Sequence, residues 1–156
     1  MKTINFLSGL PRSGSTLLGS LLNQNPSVYV TPTSPLLDLL CYQNEALNSV
    51  DKTYTFDYDK VMANIGTGLV DSFFKDVQEP FIIDKHRAWA RNIYPATLFI
   101  NKSPKVICTL RPMPDVVVSY LTLLDKDPNN TIDQYLRNNN ININVENRAQ
   151  VIMKYY

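Results

Sequence analysis

A short apolar run, Thr3-Ile4-Asn5-Phe6-Leu7-Ser8, leads straight into Gly9-Leu10-Pro11-Arg12-Ser13-Gly14-Ser15-Thr16, and Leu17, Leu18, Leu21 and Leu22 follow at helical spacing. Strand, glycine-bearing loop and helix in that order constrain the chain more than any other feature. A strand that feeds a helix through a tight loop is the start of a crossover unit, and crossover units build parallel sheets. Glycine at 9 and 14 lets the backbone close around an anion with its amide hydrogens turned inward. The helix start just behind presents its positive end to the same place.

The rest of the chain repeats the alternation. Val28-Tyr29-Val30, Phe81-Ile82-Ile83-Asp84 and Lys105-Val106-Ile107-Cys108-Thr109-Leu110-Arg111 read as further strands, the last as a continuous apolar run suited to a buried parallel position. Thr33 or Ser34 can cap a helix that carries Pro35 in its first turn and Leu36, Leu37, Leu39 and Leu40 behind it. Asp51 to Thr55 reads as polar linker. Val61, Ile65, Leu69 and Phe73 recur every four residues across Asp57 to Val77, with Met62, Val70, Phe74 and Val77 beside them, an amphipathic helix weakened by Gly66 and Gly68 at up to ~1 kcal/mol each. Trp89 to Phe99 also reads as helix. Pro112-Met113-Pro114-Asp115 opens a buried helix over Val116 to Leu124, because proline and aspartate there are helix-start signals. Thr131 to Arg137 gives polar helical turns, Asn138 to Asn144 a low-complexity loop, and Val145 to Tyr156 a last helix. The expectation is an α/β, P-loop-type three-layer fold in one domain over residues 1–156. Its mostly parallel sheet of about four or five strands carries helices on both faces. In such sheets the crevice lies at the carboxyl ends of the strands, where Gly9 to Thr16, Asp84 to Arg87 and Arg111 to Ser119 all fall.

A net charge of +1 gives no whole-chain attraction to nucleic acid or to an anionic membrane, so any anion site is local. Cys41 and Cys108 lack metal-ligand spacing, and Cys108 in its apolar run reads as a buried free thiol in a reducing compartment. No signal peptide opens the chain and no run approaches the ~20 apolar residues of a membrane span. These features point to a soluble, cytoplasmic protein.

Gly9-x-x-x-x-Gly14-Ser15-Thr16 has Walker A spacing, with Ser15 where that motif carries the lysine for the outer phosphates of a triphosphate. The one cation in the loop is Arg12, whose planar fork grips an oxyanion in two places. Hydroxyls on Ser13, Ser15 and Thr16 add donors. The set suits a phosphate or phosphosulfate better than a magnesium-bound triphosphate. Eight residues separate Arg111, at a strand end, from Ser119, in the next helix. Side chains on a helix lean toward its amino end, so the two can converge on a second anion. Alternatively, Arg111 pairs with Asp115 and Ser119 bonds its own helix. Asp84-Lys85-His86-Arg87-Ala88-Trp89 crowds four ionisable residues at a third strand end. His86 is the only histidine in the chain and is a candidate base.

Leu7 to Leu18 resembles the 5′-phosphosulfate-binding loop of sulfotransferases that use 3′-phosphoadenosine 5′-phosphosulfate (PAPS), closest to the bacterial and tyrosylprotein branches with their Pro-Arg-Ser-Gly-(Ser/Thr)-Thr core. The resemblance implies that Arg12, Ser13, Gly14, Ser15 and Thr16 hold the 5′-phosphosulfate. Arg111 to Tyr120 is similar to the family's 3′-phosphate segment, an arginine followed eight positions later by a serine, which gives that phosphate to Arg111 and Ser119. Lys85 takes the place of the lysine that steadies the sulfonate in transfer, with Arg12 beside it in that role. Asp84, Arg87 and Trp89 match an Asp-x-x-Arg-x-Trp pattern of some bacterial relatives. The family implies no metal, and an acceptor hydroxyl or amine on a small molecule, carbohydrate or peptide.

Two departures accompany the resemblance. The tyrosylprotein branch has a glutamate base shortly after its second strand, whereas Tyr29 to Pro35 holds no carboxylate. The base stays open among Asp84, His86 and Asp38. The chain also spans only roughly the first half to two-thirds of a typical member, lacking the carboxy-terminal part, so it is either a fragment or a naturally short relative. An unfinished sheet would expose an edge and apolar surface, favouring marginal stability or association, for instance into a homo-oligomer. Two other functions compete, a P-loop kinase-like enzyme and a nucleotide-binding protein without catalysis.

Overall fold

Successive residues of a strand point to opposite faces of its sheet, and the pair Phe6-Leu7 shows what each face meets. The computed structural model describes residues 2–50, 57–100 and 103–155; the linker expected at Asp51 to Thr55 lies outside them. Along the chain come β1 (Thr3–Gly9), α1 (Ser15–Leu22), β2 (Val28–Val30), α2 (Leu36–Ser49), α3 (Tyr58–Phe73) and β3 (Phe81–Lys85). Then follow α4 (Ile93–Phe99), β4 (Val106–Thr109), α5 (Met113–Leu124), α6 (Thr131–Asn138) and α7 (Val145–Tyr155). The chain is α/β, with a four-stranded parallel sheet and seven helices among the described residues. It forms two compact units, Met1–Gly9 with Gly14–Thr109, and Leu10–Ser13 with Leu110–Tyr156.

The first unit holds the sheet, in the order β2-β3-β1-β4, every pair parallel. Phe6 and Ile82 point to one face and pack with Leu36, Leu37 and Leu40 of α2, Val70 and Phe74 at the end of α3, and Ala96 and Phe99 of α4. Leu7, Ile83 and Val30 point to the other face, where Leu18 and Leu22 of α1 cover them. Each fully buried leucine, isoleucine or phenylalanine contributes ~1.5–3 kcal/mol relative to leaving it in water. Helices therefore cover both faces, as a three-layer fold requires. The register sets Leu7 beside Lys85 and Phe6 beside Asp84. Lys85 thus belongs to the α1 face and Asp84 to the face of α2, α3 and α4.

Several elements depart from the sequence reading. β4, expected in a buried position, is an edge strand among the described residues, with Ile107 and Cys108 exposed; among those residues its apolar run pairs on one side, with β1. The helix expected from Trp89 begins at Ile93. Residues 87–91 are turns instead, because Trp89 is held inward by its ring and its indole nitrogen. α5 is helical as expected, but only Val116 and Leu124 within it are buried, while Val118 and Leu123 are exposed. In α3 and the segment just after it the inward face centres on Gly66, Val70 and Phe74, with Met62, Leu69 and Val77 packed beside them as expected, whereas Ile65 and Phe73 face outward. Gly66 is what allows this. A β-carbon there would collide with the ring of Phe99. α2 is started by Ser34, whose Oγ accepts from the Leu36 amide at 3.0 Å.

The second unit is organised by charge. Asn130 caps α6, accepting from the Asp133 amide at 2.8 Å and donating from Nδ2 to Asp133 Oδ2 at 3.0 Å. Arg148 of α7 grips the buried Asp133 with Nε at 2.8 Å and Nη2 at 2.6 Å, and reaches Asp125 Oδ1 with Nη1 at 2.7 Å. The Arg148 hydrogen bonds hold the Asp133 carboxyl below the usual carboxylate range. Leu136, Val151 and Ile152 are buried in the same unit.

Candidate functional site

The loop after β1 needs backbone conformations that ordinary side chains avoid. Gly9 and Gly14 have φ of 147° and 94°, and Arg12 sits at φ 65°. For a residue with a β-carbon this left-handed region costs ~1–2 kcal/mol. The turn is closed by Ser13, whose amide and hydroxyl both donate to Leu10 O. Gly14 stands at the start of α1 and, having no side chain, caps none of its first amides itself. Ser15 and Thr16 lie in that first turn.

In the second unit the Arg12 guanidinium donates from Nε to Ser119 Oγ at 2.9 Å, and Arg111 donates from Nη1 to the Arg12 carbonyl at 2.9 Å. Both arginines are exposed. The left-handed turn at Arg12 presents its carbonyl to Arg111 while its side chain turns to Ser119. Two cations and a hydroxyl are thereby gathered from segments roughly a hundred residues apart. The alternative partners considered for Arg111 and Ser119 are not the ones they take here.

In the first unit Lys85, at the end of β3, donates from Nζ to Thr16 Oγ1 at 3.1 Å. This follows from register, because the Lys85 side chain emerges on the α1 face. Partial burial pulls its ammonium below the ordinary lysine value. His86 turns to α2, with Nε2 3.4 Å from Asp38 Oδ2. Its Nδ1 accepts from the Ala88 amide at 3.2 Å, an arrangement that assigns the proton of the neutral ring to Nε2.

Asp84 is fully buried. Its Oδ2 accepts from the Trp89 indole at 2.8 Å and its Oδ1 from the Thr31 hydroxyl at 3.3 Å. Burial raises its carboxyl above the usual range, and hydrogen bonds from Ser34, Trp89 and Thr31 pull it part of the way back. Trp89 stacks obliquely on Phe6, with ring centroids 4.2 Å apart. Arg87 is exposed, and its carbonyl accepts from Ser8 Oγ at 2.6 Å, while the same hydroxyl takes the Ala90 amide at 3.1 Å.

The structure thus brings together Lys85 with Thr16, His86 with Asp38, and Arg12 with Arg111 and Ser119. Asp84 lies on the opposite sheet face from Lys85. Sequence reasoning passed over Thr31 and Ser8, which hold the ends of β3 and β1. Their signal was slight, a lone hydroxyl at each strand's end. Among the described residues no three His, Cys, Asp or Glu side chains are grouped to share a metal ion, and no helix is long and apolar enough to cross a membrane. Comparison with protein-family models and with curated proteins gives no match.

Proposed function

We propose that the chain binds PAPS and transfers its sulfonate to an acceptor hydroxyl or amine. The observation that carries this reading is the meeting of Arg12 with Ser119 and Arg111. The loop cation and the two residues of the second motif form one polar group, as a nucleotide with phosphates at both its 3′ and 5′ ends would require. Loop amides with Ser13, Ser15 and Thr16 receive the 5′-phosphosulfate, and Arg111 with Ser119 the 3′-phosphate. Lys85, next to Thr16, neutralises sulfonate oxygens as charge builds on them.

In the transfer the acceptor oxygen or nitrogen bonds to sulfur and the bond from sulfur to the bridging phosphate oxygen breaks. The electron pair leaves with 3′,5′-adenosine bisphosphate, and the acceptor's proton passes to a base. Asp84 is sealed from any acceptor by burial. The His86 ring has one nitrogen occupied by the Ala88 amide and the other carrying its hydrogen toward Asp38. Asp38 is the more exposed partner of that pair, with lone pairs to spare, so the proton goes to Asp38 and His86 steadies the carboxylate.

Titration with 3′,5′-adenosine bisphosphate and with ATP, each with and without magnesium, tests the reading. The expected result is tighter binding of the bisphosphate, indifferent to magnesium, and weakened at least tenfold by Arg12→Ala. Preference for ATP with magnesium would overturn it in favour of kinase-like chemistry. Tight bisphosphate binding with no sulfonate transfer would make this a binding protein.

A further inference from the structure

β2 ends at Val30, one residue too early to supply a carbonyl to the amide of Lys85. The Thr31 hydroxyl fills the gap, accepting from Lys85 N at 2.7 Å, while the Thr31 amide donates to Ile83 O at 3.1 Å and Ser34 N to Lys85 O at 3.0 Å. A hydroxyl has one hydrogen, and this one points at Asp84 Oδ1. With its hydrogen committed there, the oxygen must offer a lone pair to Lys85. The other Asp84 oxygen is taken by Trp89, which anchors the turn after Lys85 through Trp89 N to His86 O at 3.3 Å. The whole cluster is buried: Asp84 and Trp89 show no exposed surface, and Thr31 and Ser34 almost none.

We propose that Asp84 is a positioning residue for Lys85, acting through the Thr31 hydroxyl on one side and the Trp89 indole on the other to fix the backbone from which the Lys85 ammonium reaches Thr16. This deepens the proposed transfer reaction and rests on it for the role of Lys85. The fixed backbone itself is a separate, directly readable claim. Asp84 sits on one face of the sheet and the lysine side chain on the other, so the influence runs through the peptide between them. A buried carboxyl that only held the core together would not need a partner whose hydroxyl oxygen also takes the amide of Lys85.

The test uses Thr31→Val, which keeps the volume and removes both hydrogen bonds, Thr31→Ser, which restores them, and Asp84→Asn, which turns one acceptor into a donor. Amide hydrogen exchange reads the backbone without any substrate. Lys85 should exchange at least tenfold faster in Thr31→Val and Asp84→Asn, with Phe6 and Ile82 exchanging no faster than in wild type, and regain protection in Thr31→Ser. In sulfonate transfer, kcat should fall about tenfold to a hundredfold with KM and bisphosphate affinity within about twofold of wild type. Unchanged Lys85 protection, or an equal rise at Lys85, Phe6 and Ile82, overturns the proposal. So does a loss of kcat matched by an equal loss of bisphosphate affinity. If Thr31→Val does not fold, Asp84→Asn and Thr31→Ser carry the same comparison. A wild type without transfer activity would sink the proposed function alone, and the exchange data would still decide the positioning role.

Discussion

Arg12 combines a charge with a backbone angle that favours glycine, and the two properties separate on substitution. Arg12→Gly removes the guanidinium and relieves the left-handed strain, whereas Arg12→Ala removes the guanidinium and keeps the strain. Both variants should lose at least tenfold in bisphosphate affinity, and Arg12→Gly should melt higher than Arg12→Ala in thermal denaturation. Equal melting temperatures would show that the loop carries no strain at this position. Lys85 poses the opposite conflict. Its ammonium is partly desolvated in the protein without ligand, so its folded pKa is lowered and its charge opposes folding at neutral pH. Lys85→Met should hold or raise the melting temperature while sulfonate transfer is lost, a trade of stability for function that calorimetry beside a transfer assay will read.

Helix α3 shows how a glycine can carry the centre of a packing face. The spacing of Val61, Ile65, Leu69 and Phe73, with Met62, Val70, Phe74 and Val77 beside them, indicated the helix, yet the face that packs inward is centred on Gly66 and leaves Ile65 and Phe73 outside. A glycine is invisible to a search for apolar side chains. Its contribution lies in the space it leaves for Phe99, which only the packed structure displays. A paired experiment follows. Gly68→Ala adds a β-carbon in open space and should stabilise by about 0.5–1 kcal/mol through helix propensity. Gly66→Ala gains the same propensity but must displace an aromatic ring, and should destabilise by about 1–3 kcal/mol. Denaturant midpoints of the two variants should move in opposite directions. Most helices and all four strands were legible because strand, turn and helix signals agreed locally. β4 was misplaced because an apolar run reports what a strand can bury, whereas its neighbours are fixed by topology. The loop cations and Ser119 could be singled out by residue type and spacing. The Thr31 link and the His86 partnership with Asp38 depend on register and on how α2 follows β2, which no linear pattern encodes.

The two compact units carry buried carboxylates of opposite character, so acid should act on them in opposite directions. Asp133 has a lowered carboxyl, held chiefly by the Arg148 hydrogen bonds. Its stabilisation is present above the unfolded value of about 3.9 and is lost as pH falls through the folded value. Asp84 has a raised carboxyl. Its burial costs stability above the folded value, and that cost is relieved as pH falls toward about 3.9. On acidification from neutral, hydrogen-exchange protection in β1 and β3 should rise first, and protection in α6 and α7 should then fall at lower pH. Asp84→Asn should abolish the first change and leave the second. Loss of the Arg148 partner is the harsher event, since breaking a buried ion pair typically costs ~3–5 kcal/mol.

Every strand of the sheet is parallel, and that has a consequence in time. β1 is made first, but its partners are Phe81 to Lys85 and Val106 to Thr109. At ~5–20 residues per second of synthesis, β1 waits on the order of ten seconds with both edges open before either neighbour exists. During that interval Phe6 and Leu7, later among the most deeply buried residues, have no sheet to enter. The nascent chain is therefore at its most adhesive while it is still attached to the ribosome, and its yield in a cell should depend on what shields that strand until β3 emerges.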